Sequence, residues 1–160
     1  MGAATAAAPA TGGQPESPFA IEATVSFNEQ RPRALKSGFM FALFDRRGDI
    51  VPGPGSSNGI YLNDTRFLSR FELQLNDGPL LLLSSNVQED NAVLTVDLAN
   101  PNLRCHDGTS LRSELIHVNR LKFLWQNACY ERLLVHNFDT RHHALTLEIL
   151  TARRAERKEV

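Results

Sequence analysis

Apolar and polar residues alternate in short segments along most of this chain. In residues 67–75 most of the apolar side chains are separated by single polar ones, and a period of two is typical of a strand with one buried face. A turn-forming stretch, residues 76–79, follows and precedes the apolar residues 80–83. The sequence therefore predicts a β-hairpin in this part of the chain.

Other apolar or alternating segments also have the length of strands. No window shows the i, i+3, i+4, i+7 apolar pattern of an amphipathic helix. Seven or eight short segments separated by turn residues favour an all-β fold, an antiparallel β-sandwich. The segments besides the hairpin are residues 20–27, 39–44, 94–98, 111–125, 128–136 and 144–150.

Residues 111–125 form the longest predicted strand, and their apolar pattern changes parity. The apolar residues before Asn119-Arg120 share one parity, whereas those after it, Phe123 and Trp125 among them, share the other. A β-bulge at Asn119-Arg120 would bring both sets to one face. On this interpretation Trp125 lies in the apolar stripe of the core.

The length of 160 residues is that of one domain with a substantial core. Residues 1–18 are rich in Ala, Gly and Pro, so we predict a disordered tail; they also lack the features of a signal peptide. Residues 19–150 are predicted to form the sandwich. Residues 151–160 are mostly charged, and are interpreted either as a fraying end or as a truncation.

The net charge disfavours two classes of partner, and the two cysteines indicate the redox state of the compartment. A net charge of −1 gives no basis for binding nucleic acid or an anionic membrane surface, because both attract a concentrated basic field. No apolar run approaches the roughly 18 to 20 residues that cross a bilayer. Cys105 and Cys129 lack CxxC spacing, so we expect free thiols in a reducing cytoplasm, with a disulfide between them as the alternative.

Polar residues that follow Gly59 are the candidate binding residues. Asp64 and Arg66 are two positions apart and so share one face of an extended segment, and Arg70 extends that row. The functional interpretation is a partly buried polar cluster that contacts a sugar or a neighbouring domain. The alternative is an ordinary solvated strand face. Tyr61 and Trp125 are the candidates for stacking on a sugar ring.

Catalytic and metal-binding patterns are weak. Glu89 and Asp90 are adjacent, so on a strand they would point to opposite faces and could not flank one glycosidic bond; we expect them in a loop. His142-His143 and Cys105-His106-Asp107 have no spacing that closes a tetrahedral site, so we expect surface turns there. The sequence predicts no metal and no cofactor.

Four blocks of residues stand in the order and approximate spacing of a known family. They are Asp45-Arg46-Arg47-Gly48-Asp49; Gly59-Ile60-Tyr61 with Asp64-Thr65-Arg66-Phe67-Leu68-Ser69-Arg70; Glu89-Asp90-Asn91-Ala92; and Phe123-Leu124-Trp125 with Tyr130-Glu131-Arg132. Over about residues 35–150 the chain resembles the N-terminal domain of bacterial glycogen debranching proteins of the amylo-α-1,6-glucosidase type. The resemblance implies a β-sandwich that precedes a helical (α/α) barrel, where the family's glycosidase acids are thought to sit.

The resemblance carries no catalytic residue over, because no position here matches the motifs of the barrel. It implies a non-catalytic accessory domain in α-glucan metabolism, with a helical barrel as partner and an α-glucan as a second expected ligand. A stand-alone carbohydrate-binding module is the alternative, and a catalytically active fragment is the third interpretation. We expect that the isolated chain does not hydrolyse glucosidic bonds.

Overall fold

The computed structural model describes residues 31–153, and in this range the chain forms thirteen strands and no helix. The tail 1–18, the predicted strand 20–27 and most of the charged end 151–160 lie outside the described residues. The strands are β1 (Arg33–Ser37), β2 (Met40–Phe44), β3 (Gly59–Leu62), β4 (Thr65–Leu68), β5 (Arg70–Leu75), β6 (Gly78–Pro79), β7 (Leu81–Val87), β8 (Val93–Ala99), β9 (Leu103–Arg104), β10 (Ser110–Leu111), β11 (Ile116–Trp125), β12 (Ala128–Asn137) and β13 (Leu147–Ala152).

The strands pair antiparallel in several sheets, which confirms the predicted β-sandwich. Two sheets have four strands, in the orders β1-β2-β3-β4 and β12-β11-β8-β7. A three-stranded sheet has the order β13-β5-β6, and β9 pairs with β10. The main core draws buried side chains from all three larger sheets, for example Phe44, Leu73 and Val118. Apolar burial between the sheets is therefore the main force that holds them together.

Three hairpins close with two-residue turns that suit the twist of the strands. Both turn residues have positive φ in Asn63-Asp64, Asn76-Asp77 and Gln126-Asn127. Type I′ turns require this conformation, which Asn and Asp adopt more readily than most residues. The side chain of Asp64 thus belongs to a turn rather than to an extended strand.

The single strand predicted for residues 67–75 is wrong, because the chain changes sheet at Ser69. Strand β4 belongs to the first four-stranded sheet, whereas β5 pairs with β13. The predicted turn after Leu75 is confirmed, but its return strand is only Gly78–Pro79. Proline has no N–H to extend the ladder. The following strand, Leu81–Val87, pairs with β8 instead.

The predicted β-bulge at Asn119-Arg120 is also wrong. Strand β11 keeps an unbroken register with both β12 and β8, and its burial alternates from Ile116 to Leu124. Arg120 and Lys122 point inward with the apolar residues, and Trp125 lies on the exposed side. The apparent change of parity therefore arises because two of the inward positions hold the cations Arg120 and Lys122 instead of apolar residues.

The strands predicted for residues 39–44, 94–98, 128–136 and 144–150 are confirmed with small changes in their bounds, whereas the strand predicted for residues 111–125 begins only at Ile116. Strands β2, β8 and β12 match the predicted segments 39–44, 94–98 and 128–136 closely. The last strand starts three residues later than predicted, and its Leu147 and Ile149 are exposed. Within residues 31–153 there is no helix long and apolar enough to cross a membrane.

Candidate functional site

A network of two basic and two acidic side chains lies inside the sandwich. Arg120 has no exposed side-chain surface, and its Nη1 donates to Asp49 Oδ1 at 2.6 Å. Its Nε donates to Glu131 Oε1 at 2.7 Å, and Lys122 Nζ lies 2.9 Å from the same oxygen. The ion pairs join the turn after β2 to the hairpin of β11 and β12. Two of the blocks that carry the family resemblance therefore meet here.

Local hydrogen bonds in the turn after β2 position Asp49. Asp45 Oδ1 accepts from the backbone N–H groups of Arg47 and Asp49, each at 2.8 Å. Gly48 supplies the positive φ of this turn, at 76°. Asp49 Oδ1 also accepts from the N–H of Leu73 at 3.1 Å, so the same carboxylate contacts β5.

Burial governs the protonation equilibria of the network. Burial raises the pKa of Asp49, and the attraction of Arg120 offsets this only in part. Burial, followed by repulsion from Arg120, lowers the pKa of Lys122 from 10.5 to about 8. The Lys122 ammonium also lies 4.1 Å from the centroid of the Phe71 ring, a cation–π contact. Since both acids are bound to Arg120, this cluster connects the turn after β2 to the hairpin of β11 and β12.

The other face of the same hairpin carries aromatic side chains. Phe123 and Tyr130 are directly opposite each other and stack, with ring centroids 5.1 Å apart and planes 10° apart. Trp125 is tilted by 52° against Tyr130 at 6.4 Å. Trp125 is 54% exposed and Tyr130 42%, so the core position predicted for Trp125 is wrong. Leu134, on the same face, is 59% exposed.

This surface, formed by Phe123, Trp125, Tyr130 and Leu134, is called the outer aromatic face below. The outer face of a half-buried antiparallel sheet normally carries polar residues. Tyr130 packs against Phe123 and Trp125, whereas the exposed Arg132 lies between Tyr130 and Leu134 on this face of β12. Large exposed apolar patches mark surfaces that bind another molecule. The aromatic rings suit either the ring of a sugar or an apolar protein surface. The sequence indicated this chemistry through Trp125, one of the two candidates for stacking on a sugar.

The predicted binding residues do not form one row. Tyr61 and Arg66 are opposite each other on β3 and β4, and they hold the preceding loop: the Tyr61 hydroxyl donates to Ser57 O at 2.7 Å, and Arg66 Nη2 donates to Asn58 O. Asp64 is exposed in its turn. Arg70 lies in another sheet and pairs with Glu72 at 2.8 Å.

The availability of Tyr61 for stacking is reduced. One face of its ring packs on Phe41, with centroids 4.5 Å apart and planes 6° apart. Its hydroxyl is engaged by the loop. The more exposed ring on the outer aromatic face, Trp125, is the better candidate for contact with a sugar.

Glu89 and Asp90 lie in a loop, as predicted. Glu89 and Asp90 lie between β7 and β8, in a turn in which Asn91 N–H donates to Gln88 O at 2.9 Å. Asp90 Oδ1 accepts from the N–H of Ala92 at 3.0 Å. This confirms the loop location, and it gives Asp90 a structural role.

The surface turns predicted for the Cys and His clusters are only partly correct. Cys105 is buried, and its Sγ lies 3.8 Å from His143 Nδ1; His143 Nε2 lies 2.7 Å from Asp139 Oδ2. Cys105 and Cys129 are both free thiols. In the part of the chain that the structure describes, no three His, Cys, Asp or Glu side chains form a group that could hold a metal ion.

The buried ion network was not predicted from the sequence. Its signal was present, because Arg120 and Lys122 share the parity of the buried Val118 and Leu124. Such a pattern indicates cations inside a core, but it does not identify their partners. Asp49 is 71 residues away from Arg120 in the chain.

Comparison with known proteins places this fold in a family. The family model that describes the N-terminal domain of (some) glycogen debranching enzymes matches residues 35–152. Neither the curated proteins nor the solved structures gave a match. Because the matched region covers most of the chain, the protein belongs to the family of N-terminal domains of glycogen debranching enzymes.

Proposed function

We propose that this chain is a non-catalytic accessory domain that acts in α-glucan metabolism in the cytoplasm, where it docks against a helical glucosidase barrel and supports it. Membership of the debranching-enzyme N-terminal family supports the metabolic role. The observation that carries the docking role is the outer aromatic face, on which Trp125, Tyr130 and Leu134 are each more than two-fifths exposed. Burying such a surface against a partner removes apolar area from water.

The state of the carboxylates supports a non-catalytic role. Glycoside hydrolysis commonly needs two carboxyl groups about 5 to 10 Å apart, one of them protonated. Burial raises the pKa of Asp49, but Asp49 and Glu131 are both bound to Arg120 inside the sandwich, away from any bound sugar. Hydrogen bonds lower the pKa of Asp97, from Asn119 first, and of Asp139, from His143 first. These last two acids are therefore poor proton donors at neutral pH.

A stand-alone glucan-binding module is the second candidate function. The tilted pair of Trp125 and Tyr130 favours it, because aromatic rings stack on the apolar faces of sugars. Both functions use the outer aromatic face, but they differ in how they use Leu134. A sugar needs the rings, whereas a protein partner also needs the neighbouring aliphatic surface.

One experiment distinguishes the two functions through Trp125, the single tryptophan of the chain. The chain is produced with 5-fluorotryptophan, so that its ¹⁹F NMR spectrum reports on this position. It is titrated with a separately expressed helical barrel of a debranching enzyme, and in parallel with maltoheptaose. Docking predicts a shifted signal with the barrel, and a response at least ten-fold weaker in Leu134→Asp.

The control variant is Phe39→Ala, which removes an aromatic side chain that is 82% exposed elsewhere on the molecule. It should leave both titrations unchanged. A response to maltoheptaose alone, reduced in Tyr130→Ala and retained in Leu134→Asp, would favour the glucan-binding module. A ¹⁹F signal that responds to neither partner would contradict both functions.

A further inference from the structure

A cleft lies beside the loop that joins β2 to β3. Its volume is about 560 Å³, which is within the range of clefts that hold small molecules. Residues 45–47 and 55–58 of this loop line it, together with Arg31, Pro32 and Leu82. None of the residues of the outer aromatic face lines it. The cleft is therefore a second surface, separate from the one to which docking is assigned.

Positive charge predominates in this cleft. Arg31, Arg46 and Arg47 line it together with one carboxylate, that of Asp45. None of the ion pairs formed within residues 31–153 uses these three arginines. The net charge of the cleft is therefore +2, although that of the whole chain is −1. Three arginines that line one cleft with a single acid attract an anion.

Hydrogen bonds hold the turn that carries two of these arginines. Asp45 Oδ1 accepts from the backbone N–H groups of Arg47 and Asp49, each at 2.8 Å. Arg120 Nη1 donates to the carbonyl oxygen of Arg47 at 2.7 Å. The buried ion network therefore fixes the backbone from which Arg46 and Arg47 extend, so less freedom is lost when they bind a ligand.

Two of the binding residues predicted from the sequence hold residues 55–58 in place. The Tyr61 hydroxyl donates to Ser57 O at 2.7 Å, and Arg66 Nη2 donates to Asn58 O. Both bonds use backbone oxygens and leave the side chains of Ser57 and Asn58 to contact a ligand. A hydroxyl and an amide can each donate and accept, which suits the hydroxyl groups of a ligand.

We propose that this cleft binds a phosphate monoester of a small molecule with several hydroxyl groups, such as a hexose phosphate. The arginines bind the phosphate, which carries a charge of about −1.5 to −2 at neutral pH and so matches the net charge of the cleft. Guanidinium groups suit phosphate because they donate paired hydrogen bonds to it. The side chains of Ser57 and Asn58 bind the hydroxyl groups. The site does not depend on the proposed function.

The test compares glucose 6-phosphate with its two parts, glucose and inorganic phosphate. Each is titrated into the full chain by isothermal titration calorimetry in about 150 mM salt, which screens attraction between distant charges. Glucose 6-phosphate should bind about ten-fold or more tightly than glucose, because hydrogen bonds between charged groups are the stronger ones. It should bind about five-fold or more tightly than inorganic phosphate, which has no sugar hydroxyls for Ser57 and Asn58.

The variant Arg46→Gln removes one guanidinium group from the cleft. Arg46 is exposed, so the protein should stay folded, as circular dichroism verifies. The affinity for glucose 6-phosphate should fall about ten-fold or more. The matched control is Arg112→Gln, which makes the same change of charge at an exposed position outside the cleft and should change the affinity by less than about two-fold.

Glucose 6-phosphate that binds no more tightly than glucose or than inorganic phosphate would overturn the proposal. So would the absence of measurable binding, full binding by Arg46→Gln, or equal losses of affinity in Arg46→Gln and Arg112→Gln.

Discussion

Arg120 Nη1 lies 2.6 Å from Asp49 Oδ1, although the two residues are 71 positions apart in the chain. The contact joins strand β11 to the turn after β2, and so connects the two four-stranded sheets through buried charge. The same nitrogen donates to the carbonyl oxygen of Arg47 at 2.7 Å. Arg120 therefore fixes both the backbone and the side chain of this turn.

Replacing Arg120 with methionine should destabilise the protein strongly. The change leaves the buried carboxylate of Asp49 without its cation, and the loss of one partner of a buried pair costs about 3 to 5 kcal/mol. Urea unfolding measures this free energy. The control is Arg70→Met, which breaks a partly exposed pair with Glu72 and should cost about 1 kcal/mol or less. Equal costs for the two variants would mean that the buried network has no special role.

The pH dependence of stability should show the buried state of Lys122. Burial lowers its pKa to about 8 in the folded protein, from 10.5. Between these values the unfolded chain binds more protons, so the free energy of unfolding rises with pH. Below pH 8 the buried ammonium of Lys122 lowers the free energy of unfolding by its full amount. Between pH 8 and pH 10.5 this cost disappears, and the free energy of unfolding rises by about 3 kcal/mol.

The comparison for this prediction is the variant Lys122→Met, which should lose this alkaline rise. Lys36→Met, at an exposed position of β1, should keep it. Free energies of unfolding are measured in urea from pH 7 to pH 10 for the three proteins. Parallel curves for wild type and Lys122→Met would show that Lys122 is not buried as described.

The alternating pattern identified the strands in which one face is apolar and the other is polar. Strand β8, with Leu94, Val96 and Leu98 buried, follows from the sequence directly. The change of sheet at Ser69 was missed because apolar residues continue on both sides of it. The false bulge in β11 arose because only apolar residues were assigned to the inner face. Cations inside a core need acidic partners, and spacing in the chain does not show that distant residues meet.

Replacing Gly59 with a residue that has a side chain should destabilise the protein, because neighbouring atoms leave no room for a Cβ atom. A Cβ atom at this position would lie 2.6 Å from Arg66 Nε and 3.0 Å from the backbone oxygen of Leu68. Gly59→Ala should therefore cost about 1 to 3 kcal/mol through overpacking. Gly53→Ala is the matched control, because a Cβ there meets nothing within 4 Å. Thermal unfolding that ranks the two variants equally would contradict the close approach of Arg66.

The fluorescence emission of Trp125 should show that its ring is exposed to water. It is the single tryptophan and is 54% exposed, so its emission should be red-shifted and readily quenched by acrylamide. Unfolding in urea should change the emission maximum little. A blue-shifted emission that resists quenching would instead return Trp125 to the core and remove the outer aromatic face.

We propose that this domain assists glucan chemistry without performing it. The most direct measurement is the release of reducing sugar from isomaltose, panose and glycogen by the purified chain, compared with an enzyme-free blank. We predict no release above the blank, because Asp49 and Glu131 are held by Arg120 and neither is placed to protonate a bound sugar. Turnover that survives repurification and disappears in Asp64→Asn or Glu89→Gln would contradict the claim.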